Sequence, residues 1–395
     1  MNTIIYDPAV SGHHLDYLTF LVDFLLIQPQ SVQEKYIFVV NPDAKSRFSS
    51  AESKLKFHYL DPSIIAHFDS IKSILVKAKT EFDVIEALSE TYHASNIILM
   101  FVDYMQLEIG KRQSNKLKLS GIFFSPFRPQ FEDQNTIKNK LNGILKGIRK
   151  DLQVRWMLRN KNLNRLFILN DRSAVAEFNH KYGNRFSFLP DPAPNFNTTA
   201  QLESMVFLRK KYKIDSSKKV LLIFGSISRK KNIENIIEAL KLLSPAYQQQ
   251  IVLYICGEPD EEYSMKLSQL LTKSAISLPN ITFIPHLSFV PSAIIDDIFR
   301  LSSLILSPYI NYYNSSGVVS LAAKYNVPIL VAESSLAADI VSEYKLGFAV
   351  NPKKSADIAA ILSFFLCDGK LIDGSKYLID FSADKFCEEI LAISK

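Results

Sequence analysis

Residues 314–330 read NSSGVVSLAAKYNVPIL. A loop of small residues leads into an apolar helix, and the helix leads into a strand. Residues 220–240, VLLIFGSISRKKNIENIIEAL, give the companion half. There a strand ends at Gly225, a basic triplet follows, and a helix begins near Asn232. Short apolar runs joined through loops to longer periodic segments are the signature of a parallel sheet covered by helices.

Worked outward, the alternation covers the chain. NTIIYD (2–7), KYIFVV (35–40), SNIILMFV (95–102), LSGIFFS (119–125) and NRLFILN (164–170) read as strands, and HHLDYLTFLVDFLL (13–26) as the first helix. The pattern restarts at KKVLLIFG (218–225) and continues through QIVLYICG (250–257), ITFIP (281–285), SSLILSP (302–308), VPILVA (327–332) and GFAV (347–350). Between the two runs, LPDPAPNFNTT (189–199) has three prolines and a polar tail, as a linker does. The fold class is α/β, with two Rossmann-like parallel-sheet domains facing a cleft. The expected bounds are 1–190, 191–370 and a helical segment over 371–395 that packs back toward the first domain.

Length and composition agree. At 395 residues and 47% hydrophobic content, two cores fit better than one. The three cysteines, Cys256, Cys367 and Cys387, are far apart and form neither a disulfide framework nor a metal motif, which fits a reducing compartment. The start, MNTIIYD, lacks the basic region of a signal peptide, and no apolar stretch reaches the length of a membrane span. A net charge of +6 permits anionic partners without selecting one. Glycine is scarce, at 12 residues against a usual share of about 7%, so those that remain mark positions needing backbone freedom. Gly225, Gly257, Gly317 and Gly347 all fall at expected strand ends or helix starts, and Gly12 falls in the first strand-to-helix loop. Ligands of open α/β sheets bind at the carboxyl ends of strands, where such loops gather.

Arg229, Lys230 and Lys231 stand after a strand and beside a positive helix N-terminus, which suits a diphosphate. The same triplet, taken alone, also fits a solvated basic turn. A solvated lysine at 231 would be dispensable to the fold. Ser315 and Ser316 can cap the next helix, and Gly317 allows close backbone approach. A capped core helix reads the same way.

Residues 316–352, SGVVSLAAKYNVPILVAESSLAADIVSEYKLGFAVNP, resemble the donor-site segment of the group 1 (family 4-like) glycosyltransferases of the GT-B fold. Gly317, Ala322, Pro328, Asp339, Gly347 and Pro352 fall on the family pattern without a gap. FGSISRKKNIENIIEAL is similar to that family's phosphate-site segment and puts Lys231 on its phosphate-binding lysine. FLPDPAP resembles the opening of the second domain, and SGHHLDYL the first-domain loop of one branch.

The departures are specific. The family's two glutamates, seven residues apart, are Tyr313 and Leu321 here. The glycine after its lysine is Asn232, and its arginine falls on a serine (Ser228 or Ser226, according to branch) with Arg229 beside it. A histidine common at the end of a first-domain strand is replaced in LSGIFFSPFRP by Ser125 or Arg128.

The resemblance implies a retaining, metal-independent glycosyltransferase. Its substrate would be a UDP- or GDP-linked sugar, with no further cofactor and no metal site. Arg229, Lys231 and His13 are the implied catalytic residues. Gly225, Ser315, Ser316, Gly317, Val318, Gly257 and Glu333 would hold the donor, with Glu333 a candidate substitute for the carboxylate missing at 321. Gly12, His14, Ser125 and Arg128 would face a glycan or lipid-linked acceptor. The alternative is a GT-B protein without turnover, acting as a partner subunit or glycan-binding module.

One stretch lies outside that site. Residues 138–165 hold nine Lys or Arg and one acidic residue, Asp151. Leu141, Ile144, Leu145, Ile148 and Leu152 recur at helical spacing. Such a segment can lie on anionic lipid, and it equally fits a surface helix with a solvated basic face. No zinc-finger or helix-turn-helix signature accompanies the charge, so nucleic acid is not expected. The expected location is cytoplasmic, peripheral at the inner face of the membrane.

Overall fold

The structure is a computed structural model that describes residues 2–10, 14–112, 117–124, 126–127, 137–192, 205–313 and 317–392, with the backbone alone at 137–140, 205, 292 and 293. It forms two units, Met1–Asp191 with Ser382–Lys395, and Pro192–Phe381.

In the first unit the strands are β1 (Asn2–Asp7), β2 (Tyr36–Val40), β3 (Lys56–Tyr59), β4 (Ala94–Leu99), β5 (Lys118–Ile122), β6 (Leu163–Leu169) and β7 (Phe186–Leu189). Among the described residues they form one parallel sheet in the order β3-β2-β1-β4-β5-β6-β7. Both faces are covered. Ile4, Tyr6, Ile37, Val39, Ile97 and Leu99 enter one core, and Ile5, Phe38, Val40, Ile98 and Ile122 enter the other. That is why these strands read as unbroken apolar runs. The final helix, Ala383–Leu391, belongs to this unit, where Phe386 stacks on Tyr17 of helix His14–Leu26 at 5.0 Å.

In the second unit β8 (Lys219–Phe224), β9 (Ile251–Cys256), β10 (Thr282–His286), β11 (Leu304–Ser307), β12 (Ile329–Ala332) and β13 (Gly347–Val350) form a parallel sheet in the order β10-β9-β8-β11-β12-β13. The strand order reverses between β8 and β11. At such a switch point two loops leave in opposite directions and open a crevice. Here those loops are the two stretches that began the sequence reading. Helix Ser375–Asp380 packs in this unit, where Tyr377 Oη lies 2.8 Å from Ser320 Oγ of helix Gly317–Lys324.

All eleven strands expected from the sequence are present, and β3 and β7 are additional. Both are four-residue edge strands. KFHY is wholly buried at no position, so its pattern is too short and too polar to separate from loop.

Candidate functional site

The loop after β8 is built tightly. Gly225 has φ 97° and Gly257 has φ 148°, and a Cβ on Gly257 would lie 1.9 Å from the Gly225 carbonyl oxygen. Only glycine permits that approach between the two strand ends. A cavity of about 380 Å³ lies beside them, lined by Gly225, Ser226, Gly257, Glu258, Asp260 and Phe289, among others.

Arg229–Lys231 make one 3₁₀ turn, and the triplet splits. Arg229 and Lys230 are exposed, whereas Lys231 is only 9% exposed, so the solvated lysine expected from sequence is corrected. Lys231 folds back under the strand end. Its Nζ donates to the Phe224 carbonyl at 2.7 Å and to Tyr309 Oη at 2.6 Å, and lies 4.3 Å from the Tyr309 ring centroid. An ammonium carries three donors. Two are engaged within the protein at the mouth of a switch-point crevice.

Asn232 explains how the chain does without a glycine at that position. Its φ of 61° is left-handed, a conformation asparagine tolerates better than most residues. Its Nδ2 donates to the Pro308 carbonyl at 3.0 Å and to the Pro352 carbonyl at 2.6 Å. One side chain thus ties the β8 loop to the ends of β11 and β13. The Ile310 N–H adds a bond to the Lys230 carbonyl at 3.0 Å. The path from β11 toward Gly317 is stitched to the basic turn.

Gly317 is exposed at the first position of helix Gly317–Lys324, with open space where a Cβ would stand. Val318 is buried, as are the residues that follow it through Ala323. Leu321 is 4% exposed and packs as core. Glu333 is exposed just after β12, held through its backbone N–H to the Val350 carbonyl at 2.8 Å. Ser315 and Ser316 lie outside the described residues, as do Gly12, His13, Ser125 and Arg128.

In the first unit His14 opens its helix with Nδ1 placed 2.9 and 2.8 Å from the two oxygens of Asp7, at the end of β1. Burial raises the Asp7 pKa, opposed by its bonds to His14 and the Ala9 N–H. The hydrogen bond to Asp7 raises the His14 pKa, opposed by burial. Sequence reading found His14 and passed over Asp7, although an acid closing an otherwise apolar strand was a signal. Tyr309 was also passed over, because nothing local marks it as the partner of a lysine 78 positions earlier.

Two parallel sheets, each with helices on both faces and a switch-point crevice in the second, define the class: this is the GT-B architecture. Residues 205–376, a stretch within the second unit, match the family described as glycosyl transferases group 1. No curated protein matches the chain. Among solved structures, HepE of Anabaena in complex with UDP is similar over 99% of this chain and 96% of its own, with 14% identity and a TM-score of 0.61. WaaG, a glycosyltransferase involved in lipopolysaccharide biosynthesis, matches over 99% and 95%, with 14% identity and a TM-score of 0.57. Sucrose-phosphate synthase of Thermosynechococcus elongatus matches over 99% and 93%, with 12% identity and a TM-score of 0.63.

Proposed function

We propose that this protein is a retaining, metal-independent glycosyltransferase that moves a sugar from a nucleotide diphosphate to an acceptor hydroxyl. The observation that carries the reading is Lys231, a buried ammonium fixed by two acceptors at the end of β8 beside the stitched β11 loop. In the reaction the bond from the anomeric carbon to the diphosphate oxygen breaks, a bond from that carbon to the acceptor oxygen forms, and the hydroxyl proton is released. Negative charge gathers on the leaving diphosphate. Lys231, Arg229 and the N-terminus of helix Gly317–Lys324 are the positive groups that stabilise it. The relative that binds UDP supports a uridine donor. The test is calorimetry with UDP and GDP, followed by mass spectrometry of UDP-sugars incubated with the protein for slow donor hydrolysis. Micromolar binding of neither nucleotide removes the reading.

Leu321 favours a second reading, nucleotide binding without turnover, because a buried leucine cannot bond ribose hydroxyls. Binding of UDP with no release of sugar from any donor would select it.

The acceptor is a membrane-presented glycan or lipid-linked sugar in this proposal, and helix Ile137–Met157 is what supports that part. Val154 and Met157 turn into the core, while Leu141, Ile144, Leu145, Ile148 and Leu152 stand 54–65% exposed on the other side. A globular helix normally turns its apolar stripe inward. This one presents it outward, next to exposed Lys146 and Arg149, which suits an anionic lipid surface.

A further inference from the structure

A groove of about 560 Å³ lies in the first unit between helix Ile137–Met157 and helix Arg172–Tyr182, a volume ordinary for a ligand site. Its floor is apolar, and Phe123, Val154 and Phe178 there are each 5% exposed or less. Ile144, Ile148 and Leu152, four residues apart along one helix face, form a wall and are 54–61% exposed. Gly143 and Gly147 line the groove from the same helix. A Cβ on Gly143 would meet open space, so close packing does not require glycine there. Glycine inside a helix is destabilising relative to alanine, and the chain has only 12 glycines. Two of them fall where side chains would fill this groove.

The charges around the groove narrow its occupant. Asp151 is already engaged by Lys181 at 2.7 Å, by Arg155 at 2.8 Å and by the Tyr182 hydroxyl at 2.7 Å. The other acid of the wall, Glu177, is exposed. Lys150 lines the groove half-buried, Arg149 is exposed beside it, and Lys146 Nζ lies 5.1 Å from the ring centroid of Phe127, another lining residue. An apolar slot bordered by cations fits a chain that carries an anionic head. A second copy of this protein would bring the same basic helix against itself, like charge facing like. Leu141 and Leu145, 57% and 65% exposed, extend the apolar surface beyond the groove, and a lipid layer covers both at once.

We propose that this groove takes one acyl chain of an anionic phospholipid, with the lipid phosphate at Lys150. The helix then holds a single lipid molecule as well as lying on the surface. The proposal rests on the membrane part of the reading above and on nothing in the nucleotide site.

Calorimetry on the full-length protein tests this with decyl phosphate below its aggregation concentration, beside inorganic phosphate and decyltrimethylammonium. Decyl phosphate should bind as a single molecule per chain, and the other two should not bind at the same concentration. Gly143→Phe fills the groove from a position with open space and should weaken binding at least about tenfold. Lys150→Glu leaves the groove open, reverses one charge and should weaken binding by about tenfold too, so the test survives if the other variant does not fold. Flotation with phosphatidylglycerol vesicles, which reads the outward stripe, should persist in Gly143→Phe. Flotation of a parent protein that does not bind decyl phosphate overturns the groove and leaves the membrane reading standing. Decyl phosphate binding without flotation overturns the phospholipid as the source of the chain. Equal binding of decyltrimethylammonium, or parental affinity in the folded variants, overturns the inference as well.

Discussion

Lys231 Nζ and Tyr309 Oη lie 2.6 Å apart, joining the loops that follow β8 and β11. The bond gives Lys231 a structural role beside the phosphate contact proposed for it. Lys231→Ala leaves the Tyr309 hydroxyl and the Phe224 carbonyl without their donor, so it should destabilise the second unit by about 1–3 kcal/mol. It should also weaken UDP binding by at least about tenfold. Tyr309→Phe keeps the ring and loses only the acceptor, so its effect on both should be smaller. Denaturant unfolding and calorimetry read the two quantities, and parental UDP affinity in Lys231→Ala would remove the phosphate assignment.

Asn232 offers a separation of backbone from side chain. Asn232→Ala puts a Cβ-bearing residue with no polar group at φ 61° and deletes the bonds to Pro308 and Pro352, so about 2 kcal/mol should be lost. Asn232→Gly deletes the same bonds and relieves the backbone, so it should lose about 1 kcal/mol less. Equal losses would show that the side-chain bonds alone matter.

The Asp7–His14 pair makes the first unit sensitive to pH. Both pKa values are raised in the fold, Asp7 chiefly through burial and His14 chiefly through the bond to Asp7. Glu81 is raised as well, by burial, with Lys77 opposing. These three groups bind more protons in the folded state than in the unfolded chain, so the stability they contribute falls as pH rises. The window runs from the carboxylate range to just above the ordinary histidine value. Asp7→Asn should flatten the slope between about pH 5 and 7.5. A stability that instead rises with pH over that range would contradict the assignment.

The outward stripe on helix Ile137–Met157 predicts flotation with vesicles containing phosphatidylglycerol and not with pure phosphatidylcholine. Binding should fade as salt rises, since screening acts on Lys146, Arg149 and their neighbours. Ile144→Glu with Ile148→Glu should abolish it while changing stability little, because both side chains are more than half exposed. Unchanged flotation of that double variant would return the stripe to ordinary surface.

Most strands of both sheets were legible because they are buried on two faces and therefore continuously apolar, whereas the four-residue edge strands β3 and β7 were not. The switch-point loops were legible because glycine is scarce and Gly225 and Gly257 stand where backbones nearly touch. What stayed hidden was pairing across distance. Glu81 looks like any acid in EFDVIEALSE until Tyr6, 75 positions away, and Tyr104 close over it. The outward face of the basic helix was hidden for a related reason. Periodicity shows that a stripe exists and cannot show which side meets the core.

In the proposed transferase, Leu321 bears on how the nucleotide is held. A carboxylate there would bond ribose hydroxyls, and such a bond is worth about one to two decades in affinity. Leu321 is 4% exposed instead, within a helix whose residues from Val318 to Ala323 are buried. The parent protein should therefore bind UDP and 2′-deoxy-UDP within about threefold of each other, held through the diphosphate. Leu321→Glu would place an unpaired carboxylate in that packing and should lose about 3–5 kcal/mol, with the new group titrating well above the usual carboxylate range. Glu333, exposed after β12, is the one alternative named by the sequence. If the parent prefers UDP by tenfold and Glu333→Ala erases the preference, Glu333 supplies the ribose contact and the expectation of parity fails. If the preference survives Glu333→Ala and Leu321→Glu folds with parental stability, position 321 is not core and can itself face the ribose.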